Sequence, residues 1–106
     1  MARDSCEKEC PVVKTLKIIG GKWTVLIIRD LLGGTKRFGE LRKSLAGVSP
    51  KTLSERLKCL EKEGITVRKI YPEVPPRVEY SLTARGRSLA TIINSMKEWG
   101  QRAWRH

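Results

Sequence analysis

The chain has few of the residues from which metal centres, disulfide frameworks and nucleophilic active sites are built. It contains one histidine, the terminal His106, and three cysteines, Cys6, Cys10 and Cys59. A disulfide framework needs an even set of cysteines, and a closed zinc site needs four ligands. No nucleophile with a paired histidine and no phosphate-binding glycine loop occurs either. The composition argues against an enzyme and predicts neither a metal nor another cofactor.

Long apolar runs are also missing. The longest uninterrupted run is Val25 to Ile28, whereas a membrane-spanning helix needs ~20 apolar residues. The polar N-terminal residues lack the apolar region of a signal peptide. We therefore expect a cytoplasmic protein without a membrane partner, with a flexible segment at residues 1–9 and a single domain at residues 10–106.

Acidic residues are scarce in comparison with basic ones. The chain has 22 lysines and arginines against 11 acidic residues, which gives a net charge of +11 over 106 residues. Ten basic residues and four glutamates fall between Lys36 and Lys69. Such a field attracts a polyanion, most commonly nucleic acid, although an anionic membrane surface or solubility alone would also account for it.

The stretch from Ser49 to Gly64 has the pattern of a short amphipathic helix. Leu53, Leu57 and Leu60 recur at i, i+4 and i+7 and share one stripe. Ser49 is a suitable N-cap, the proline after it fits the first helical position, and Gly64 suits a left-handed C-terminal residue. The remaining faces are basic and hydrogen-bonding, with Lys51, Thr52, Ser54, Glu55, Arg56 and Lys58. Such a helix is either an ordinary surface helix or one that enters a major groove.

Three further helices are predicted before this stretch. The first starts at Cys10-Pro11, ends at a glycine pair, and carries a stripe of Val12, Leu16 and Ile19 beside a second apolar edge formed by Val13 and Ile18. The second, Lys22 to Leu32, is dense enough in apolar residues to be a buried central helix. The third, Arg37 to Leu45, is joined to the Ser49 helix by a short turn with a glycine, which is the helix-turn-helix pattern.

After Gly64 the apolar period changes from helical to alternating. Ile65, Val67 and Ile70 predict one strand, and Val78, Tyr80 and Leu82 a second. The three prolines of the loop between them exclude a helix there. A hairpin directly after a helix-turn-helix is a wing, and its basic residues could meet phosphates or a minor groove. These residues are Arg68, Lys69 and Arg77. The alternative for each of them is that its side chain only covers the protein surface and is solvated.

The last helix is predicted from Ala84 to about Arg105, with Thr83 as its cap. It is long for a domain whose core is nearly complete, so its distal half is expected to pack on a second copy of the chain, beside the spare edge of the first helix. The alternative is that it folds back on its own domain. The predicted dimerisation residues are Val13, Met96, Trp99 and Trp104.

Several ordered motifs resemble the HxlR-type family of winged-helix regulators, which are relatives of the MarR type. The resemblance extends from Cys10 to about Trp104, and no departure occurs in the DNA-binding core. It implies a mainly α winged helix-turn-helix with a small β-hairpin and with N- and C-terminal dimerisation helices. The motifs are Cys10-Pro11, Ile19 to Thr24, Arg37 to Leu41, Ser49 to Leu57 and Tyr71 to Thr83.

This resemblance implies a homodimeric transcription regulator that binds an inverted-repeat double-stranded operator. The Ser49 helix would lie in the major groove, and the wing would lie on the flank. A winged-helix protein-interaction module without specific DNA binding is the rival interpretation. The predicted DNA-binding residues are Arg37, Ser49, Lys51, Thr52, Ser54, Glu55, Arg56, Lys58, Lys69 and Arg77.

A redox role is predicted for Cys10. Pro11 at the first helical position makes Cys10 the expected N-cap, where the helix dipole and Lys14 favour a thiolate. Cys6 could convert a sulfenic acid on Cys10 into a disulfide. Some relatives of the HxlR type sense quinones, aldehydes or oxidants through the cysteine that matches Cys10. The alternative is that Cys10 is a structural residue, Cys6 a surface thiol and Cys59 a core residue.

Overall fold

The computed structural model describes residues 10–104. The flexible segment predicted at residues 1–9, and with it Cys6, lies outside the described residues. The described part of the chain forms six helices and three strands. They are α1 (Pro11–Ile19), α2 (Lys22–Leu32), β1 (Lys36–Arg37), α3 (Phe38–Ser44), α4 (Pro50–Lys62), β2 (Thr66–Tyr71), β3 (Arg77–Leu82), α5 (Ala84–Arg87) and α6 (Ala90–Ala103).

Helix α2 is the centre of the fold. It packs against α1, α3, α4, α6 and β3. Ile27 and Ile28 are fully buried, and Leu31 is nearly so. Apolar side chains on several faces of one helix fit a central position, because each face meets a different neighbour. The predicted central helix is confirmed.

Helix α1 lies at the edge of this core. Ile19 is buried, but Val12 and Leu16 of the same predicted stripe are 65% and 56% exposed. Of its residues, only Ile18 and Ile19, next to the turn into α2, belong to the core or pack against it. The uncovered apolar edge of α1 is therefore formed by Val12 and Leu16, whereas the sequence had placed the spare edge at Val13 and Ile18.

The predicted hairpin is present and carries a third strand. The sheet has the order β1-β3-β2, and both pairs are antiparallel. The register pairs Arg68 with Tyr80 and Tyr71 with Arg77 across the hairpin. Strand β1 was not predicted, because two residues are too few to show an alternating pattern. It ties the start of the helix-turn-helix to the wing, which we define as residues 66–82.

The C-terminal region is two helices rather than the single predicted one. Thr83 caps α5, since its hydroxyl accepts a hydrogen bond from the Gly86 amide at 3.0 Å. The Leu89 amide then bonds to the Gly86 carbonyl three residues back, and the Ser88 hydroxyl donates to the Arg85 carbonyl. These bonds replace the regular i to i−4 pattern, so the helix restarts at Ala90.

Candidate nucleic-acid interface

Both ends of α4 are fixed by local interactions. The Ser49 hydroxyl accepts a hydrogen bond from the Thr52 amide at 3.0 Å and donates one to the Thr52 hydroxyl, also at 3.0 Å. Pro50 occupies the first helical position. At the other end Gly64 has φ of 74°, a conformation that side chains with a Cβ disfavour. The predicted capped helix is confirmed.

Helix α4 has one buried and one exposed side. Leu53, Leu57 and Leu60 are almost completely buried against the core. Thr52 and Ser54 lie at the margins and are half-buried. We call the opposite side the α4 outer face; it is exposed and consists of Lys51, Glu55, Lys58 and Lys62. Arg56 is also exposed, but it lies near Leu60 and shares a cleft with Lys17 and Thr24. The leucines thus hold the helix firmly while a predominantly cationic surface faces the solvent.

Helices α3 and α4 form the helix-turn-helix unit. The turn between them contains Gly47, with φ of 97°, and the buried Val48. Arg37 is the exposed N-cap of α3, and its amide donates to the Glu40 carboxylate at 2.8 Å. As a residue of β1, Arg37 also pairs in register with Glu79 of the wing. The predicted DNA-binding residues of this unit therefore lie on exposed or half-buried surface of one connected substructure.

Arg77 contacts three other groups of the wing. The centre of its guanidinium is 4.0 Å from the centroid of the Tyr71 ring. Its Nη1 lies 3.2 Å from the Glu73 carboxylate, and its Nε lies 3.3 Å from the Glu79 carboxylate. Nε is buried and has no aligned hydrogen bond, so the contact with Glu79 is an ion pair rather than a hydrogen bond. We call these four residues the Arg77 cluster.

The Arg77 cluster was missed by sequence reasoning, which treated Arg77 as a contact to phosphates or a minor groove, or otherwise as solvated surface. The signal that could have revealed it is the register of the hairpin. In an antiparallel pair, residues directly opposite each other have adjacent side chains on one face. Tyr71 and Arg77 are such a pair, and so are Lys69 and Glu79.

A second contact joins the base of the wing to α4. Arg68 of β2 lies 3.8 Å from Glu61 of α4 and opposite Tyr80 of β3. Burial raises the pKa of the Tyr80 hydroxyl above its usual value, and the neighbouring Arg68 partly offsets this effect. The wing and α4 are therefore held together by a polar bridge as well as by apolar packing.

The wing tip, residues 72–76, carries no basic side chain. Its residues are exposed, and Val74 is completely so. Three prolines restrict the backbone of this loop. The tip is therefore a stiff, mainly apolar projection flanked by the charged residues of β2 and β3.

The two described cysteines occupy different environments. Cys10 is half-buried at the N-cap position of α1, as predicted. Cys59 is exposed on α4, because its position on the helix lies beside Leu60 but turned away from the core. The reading of Cys59 as a core residue is therefore wrong.

An apolar surface lies on the other side of the domain, formed by α1 and α6. Val12 and Leu16 of α1 share one cleft with Ile92 and Met96 of α6. The ring of Trp99, further along α6, meets that of Trp104, the residue after α6, edge to face with centroids 5.4 Å apart. We call these six residues the α1/α6 surface. All of them are more than a third exposed in the single chain.

Residues 10–104 contain no cluster of three or more side chains arranged to bind a metal ion. Over the same range, none of the helices is both long and apolar enough to cross a membrane.

The comparisons with known proteins agree on one family. The sequence model described as HxlR-like helix-turn-helix matches residues 18–106. The uncharacterized HTH-type transcriptional regulator YdeP of Bacillus subtilis (strain 168) is 46% identical over 93 residues, which cover 88% of this chain and 73% of YdeP.

Solved structures give the same result. A protein described as a MarR-family transcriptional regulator, from Porphyromonas gingivalis W83, superimposes with a TM-score of 0.85 at 46% identity, covering 89% of this chain and 92% of that one. The redox regulator HypR in its oxidized form superimposes with a TM-score of 0.84 at 45% identity, covering 88% of this chain and 96% of that one. These matches confirm the winged-helix fold and the resemblance found in the sequence.

Proposed function

Because the chain belongs to the HxlR-like helix-turn-helix family of transcriptional regulators, we propose that it binds a pseudo-palindromic double-stranded operator as a homodimer. The observation that carries this proposal is the α4 outer face, which is cationic and exposed on a helix anchored by three buried leucines. An anchored helix can enter a major groove without losing its place in the domain.

Some residues of α4 would contribute mainly to affinity for DNA, and others mainly to sequence specificity. Lys51, Arg56 and Lys58 are cations that neutralise phosphates and release counterions. Thr52, Ser54 and Glu55 have donors or acceptors that match base edges in the major groove. Arg37 and Lys69, which lie opposite Glu79 on its two neighbouring strands, would meet the backbone beside the groove. Ser49 would contribute mainly by capping the helix, since its hydroxyl is already bonded within the helix turn.

A second copy of the chain would cover the α1/α6 surface. Scattered exposed apolar residues are normal, but an apolar cleft shared by two helices, followed by a pair of exposed tryptophans, is typical of an interface. A two-fold dimer formed there would place two α4 helices about one turn of DNA apart, ~34 Å, which is why the operator should be pseudo-palindromic. Met96, Trp99 and Trp104 were predicted for this role, and Val12 and Leu16 take the place of Val13 at its centre.

The test is to select duplexes from a random pool with the full chain and then to measure affinity for the selected duplex against salt. If a dimer makes ~6–10 phosphate contacts, affinity should fall by roughly 10³ or more between 50 and 200 mM salt. Lys58→Ala should weaken all duplexes alike, whereas Thr52→Ala should change the preference among them. Arg102→Ala, which removes the same charge from α6, is the matched control and should leave both properties unchanged.

Two results would contradict the proposal. One is an interaction with duplexes that does not depend on salt. The other is equal affinity for every duplex at physiological salt, which would favour the rival interpretation of a protein-interaction module.

We further propose that Cys10 makes the regulator responsive to oxidants. Its position at the start of α1 brings it close to free helix amides and one turn from Lys14, both of which favour the thiolate. An oxidant would convert that thiolate to a sulfenic acid, and condensation with the Cys6 thiol would form a disulfide and release water. HypR, which resembles this chain, is described as a redox regulator.

Treatment with diamide followed by operator titration tests this role. The wild type should change its operator affinity after treatment, and Cys10→Ser should not. Cys59→Ser is the matched control, because Cys59 is an exposed thiol on α4 through which the oxidant could also act on the interface. This variant should respond as the wild type does, which would exclude Cys59 as the responding thiol. If the wild-type affinity is unchanged and mass spectrometry shows that Cys10 is still a thiol, the redox role is refuted, but the proposed DNA-binding function is not.

A further inference from the structure

Among the basic residues of the wing, Arg77 has more contacts with side chains of the described part of the protein than Arg68 or Lys69 has. Its guanidinium stacks on Tyr71 and forms ion pairs with Glu73 and Glu79. We propose that Arg77 is a positioning residue, which holds the wing tip against the strands and does not contact a phosphate. This inference rests on the proposed function, since it concerns how the wing meets a duplex.

Releasing Arg77 towards a phosphate would be unfavourable. Its side chain is 27% exposed, and Nε is buried. To reach DNA, the guanidinium would have to leave the ring and both carboxylates. Glu73 would then lose its ion pair with Arg77 next to a polyanion, where like charges repel. By contrast, Lys51 and Lys58 on the α4 outer face are exposed and need no such rearrangement.

The contacts of Arg77 join the three parts of the wing. Tyr71 ends β2, Glu73 belongs to the tip, and Glu79 lies within β3. The Glu73 amide also donates to the Tyr71 carbonyl at 2.8 Å, so the tip is attached to β2 through both backbone and side chain. A guanidinium is planar and can stack and pair at the same time, which a lysine ammonium cannot do in the same geometry. Arg77 therefore fixes the direction in which the tip projects.

Through these contacts Arg77 positions the exposed Val74 and the prolines beside it. Proteins that bind the minor groove frequently present apolar side chains to the base steps. A tip without a basic residue fits that mode better than phosphate neutralisation does. The stiffness of the tip matters because each side chain that must be ordered on binding reduces affinity.

The test is a double-mutant cycle on the full-length protein with its selected duplex. The four proteins are the wild type, Arg77→Met, Glu79→Gln and the double variant. Arg77→Met should weaken binding by about tenfold through loss of tip order. The effect should be smaller in the Glu79→Gln background, because one of the three contacts of Arg77 is already lost there. A phosphate contact would instead lose as much or more affinity in that background.

The salt dependence separates the two roles independently. Removing one phosphate contact per subunit lowers the slope of log affinity against log salt by about 2 for a dimer. We expect that change for Lys58→Met, the matched control, and no change for Arg77→Met. Arg77→Lys should bind as weakly as Arg77→Met. A reduced slope in Arg77→Met, together with near wild-type binding of Arg77→Lys, would overturn the proposal.

Hydrogen exchange in the DNA-free protein keeps the proposal testable even if no duplex is bound. The Glu73 amide should exchange faster in both Arg77 variants than in the wild type, and Lys58→Met should leave its rate unchanged. An unchanged rate in the Arg77 variants would refute the positioning role. Absence of duplex binding by the wild type, with faster exchange in the variants, would refute the proposed function alone.

Discussion

At the residue scale, Gly86 lies where α5 crosses the segment that follows α4. A Cβ on Gly86 would overlap the carbonyl oxygen of Ile65 and lie 3.0 Å from a methyl group of Leu82. Gly39 of α3 is the opposite case, since a Cβ there would meet nothing within 4 Å. Two glycines in short helices are therefore expected to respond in opposite ways to the same substitution.

We predict that Gly86→Ala destabilises the protein by about 1–3 kcal/mol or more, because backbone must move to make room. Gly39→Ala should stabilise it by up to about 1 kcal/mol, because alanine is the better helix former. Urea denaturation of both variants measures the free energy of unfolding. Equal stability of Gly86→Ala and the wild type would show that α5 does not press on Ile65.

Residue roles were only partly predictable from sequence. The capping role of Ser49 and the left-handed Gly64 follow from residue type and local order alone. The engagement of Arg77 does not, because it depends on which residues face it across the hairpin. Exposure of Cys59 was misjudged for a related reason. On a helix, the residue before a buried leucine points about 100° away from it, and here that direction is solvent.

At the scale of the element, the N-terminus of α4 is the part of the helix that would enter the groove first. Its first turn is held by the two hydrogen bonds between Ser49 and Thr52. A helix terminus without its cap frays, since the first amides lose their acceptor. Capping at this position therefore contributes to stability and would also contribute to recognition.

We predict that Ser49→Ala lowers the free energy of unfolding by about 1 kcal/mol. Affinity for the selected duplex should also fall, because Thr52 loses the group that orients its hydroxyl. Thermal denaturation and titration of the duplex measure the two effects. Ser95→Ala, an exposed substitution within α6, is the control. Unaltered stability of Ser49→Ala would mean that water replaces the cap at no cost.

At the scale of the whole molecule, the basic and the apolar surfaces belong to different elements. The α4 outer face is cationic, whereas the α1/α6 surface is formed by exposed apolar side chains. This separation is what a two-fold DNA-binding dimer requires, since one surface must meet a second copy while the other meets DNA.

We predict that Leu16→Glu converts the proposed dimer to a monomer, because a charge would be buried in the proposed interface. Ile70→Glu is the matched control; Ile70 is 58% exposed, close to the 56% of Leu16, but it lies on the wing. Sedimentation of the two variants measures the oligomeric state. Truncation after Ser95, which removes Trp99 and Trp104, should also give a monomer. A dimeric Leu16→Glu would place the interface elsewhere.

The sequence by itself determined the order and type of most elements, the family and the location of the capped helix α4. These depend on local periodicity, caps and turn residues, which act over a few positions and are visible in one dimension.

Only the tertiary structure decided three further features. The two-residue strand β1 forms because Lys36 and Arg37 pair with Tyr80 and Glu79 of β3. The uncovered edge of α1 is Val12 and Leu16 because little beyond the end of α1 reaches the core. Arg77 is paired within the wing because the hairpin register sets Tyr71 opposite it and the alternation along β3 puts Glu79 on the same face. The first two depend on contacts between residues distant in sequence, which no local pattern encodes; the Arg77 contacts lie between Tyr71 and Glu79 and are visible only once the register of the hairpin is known.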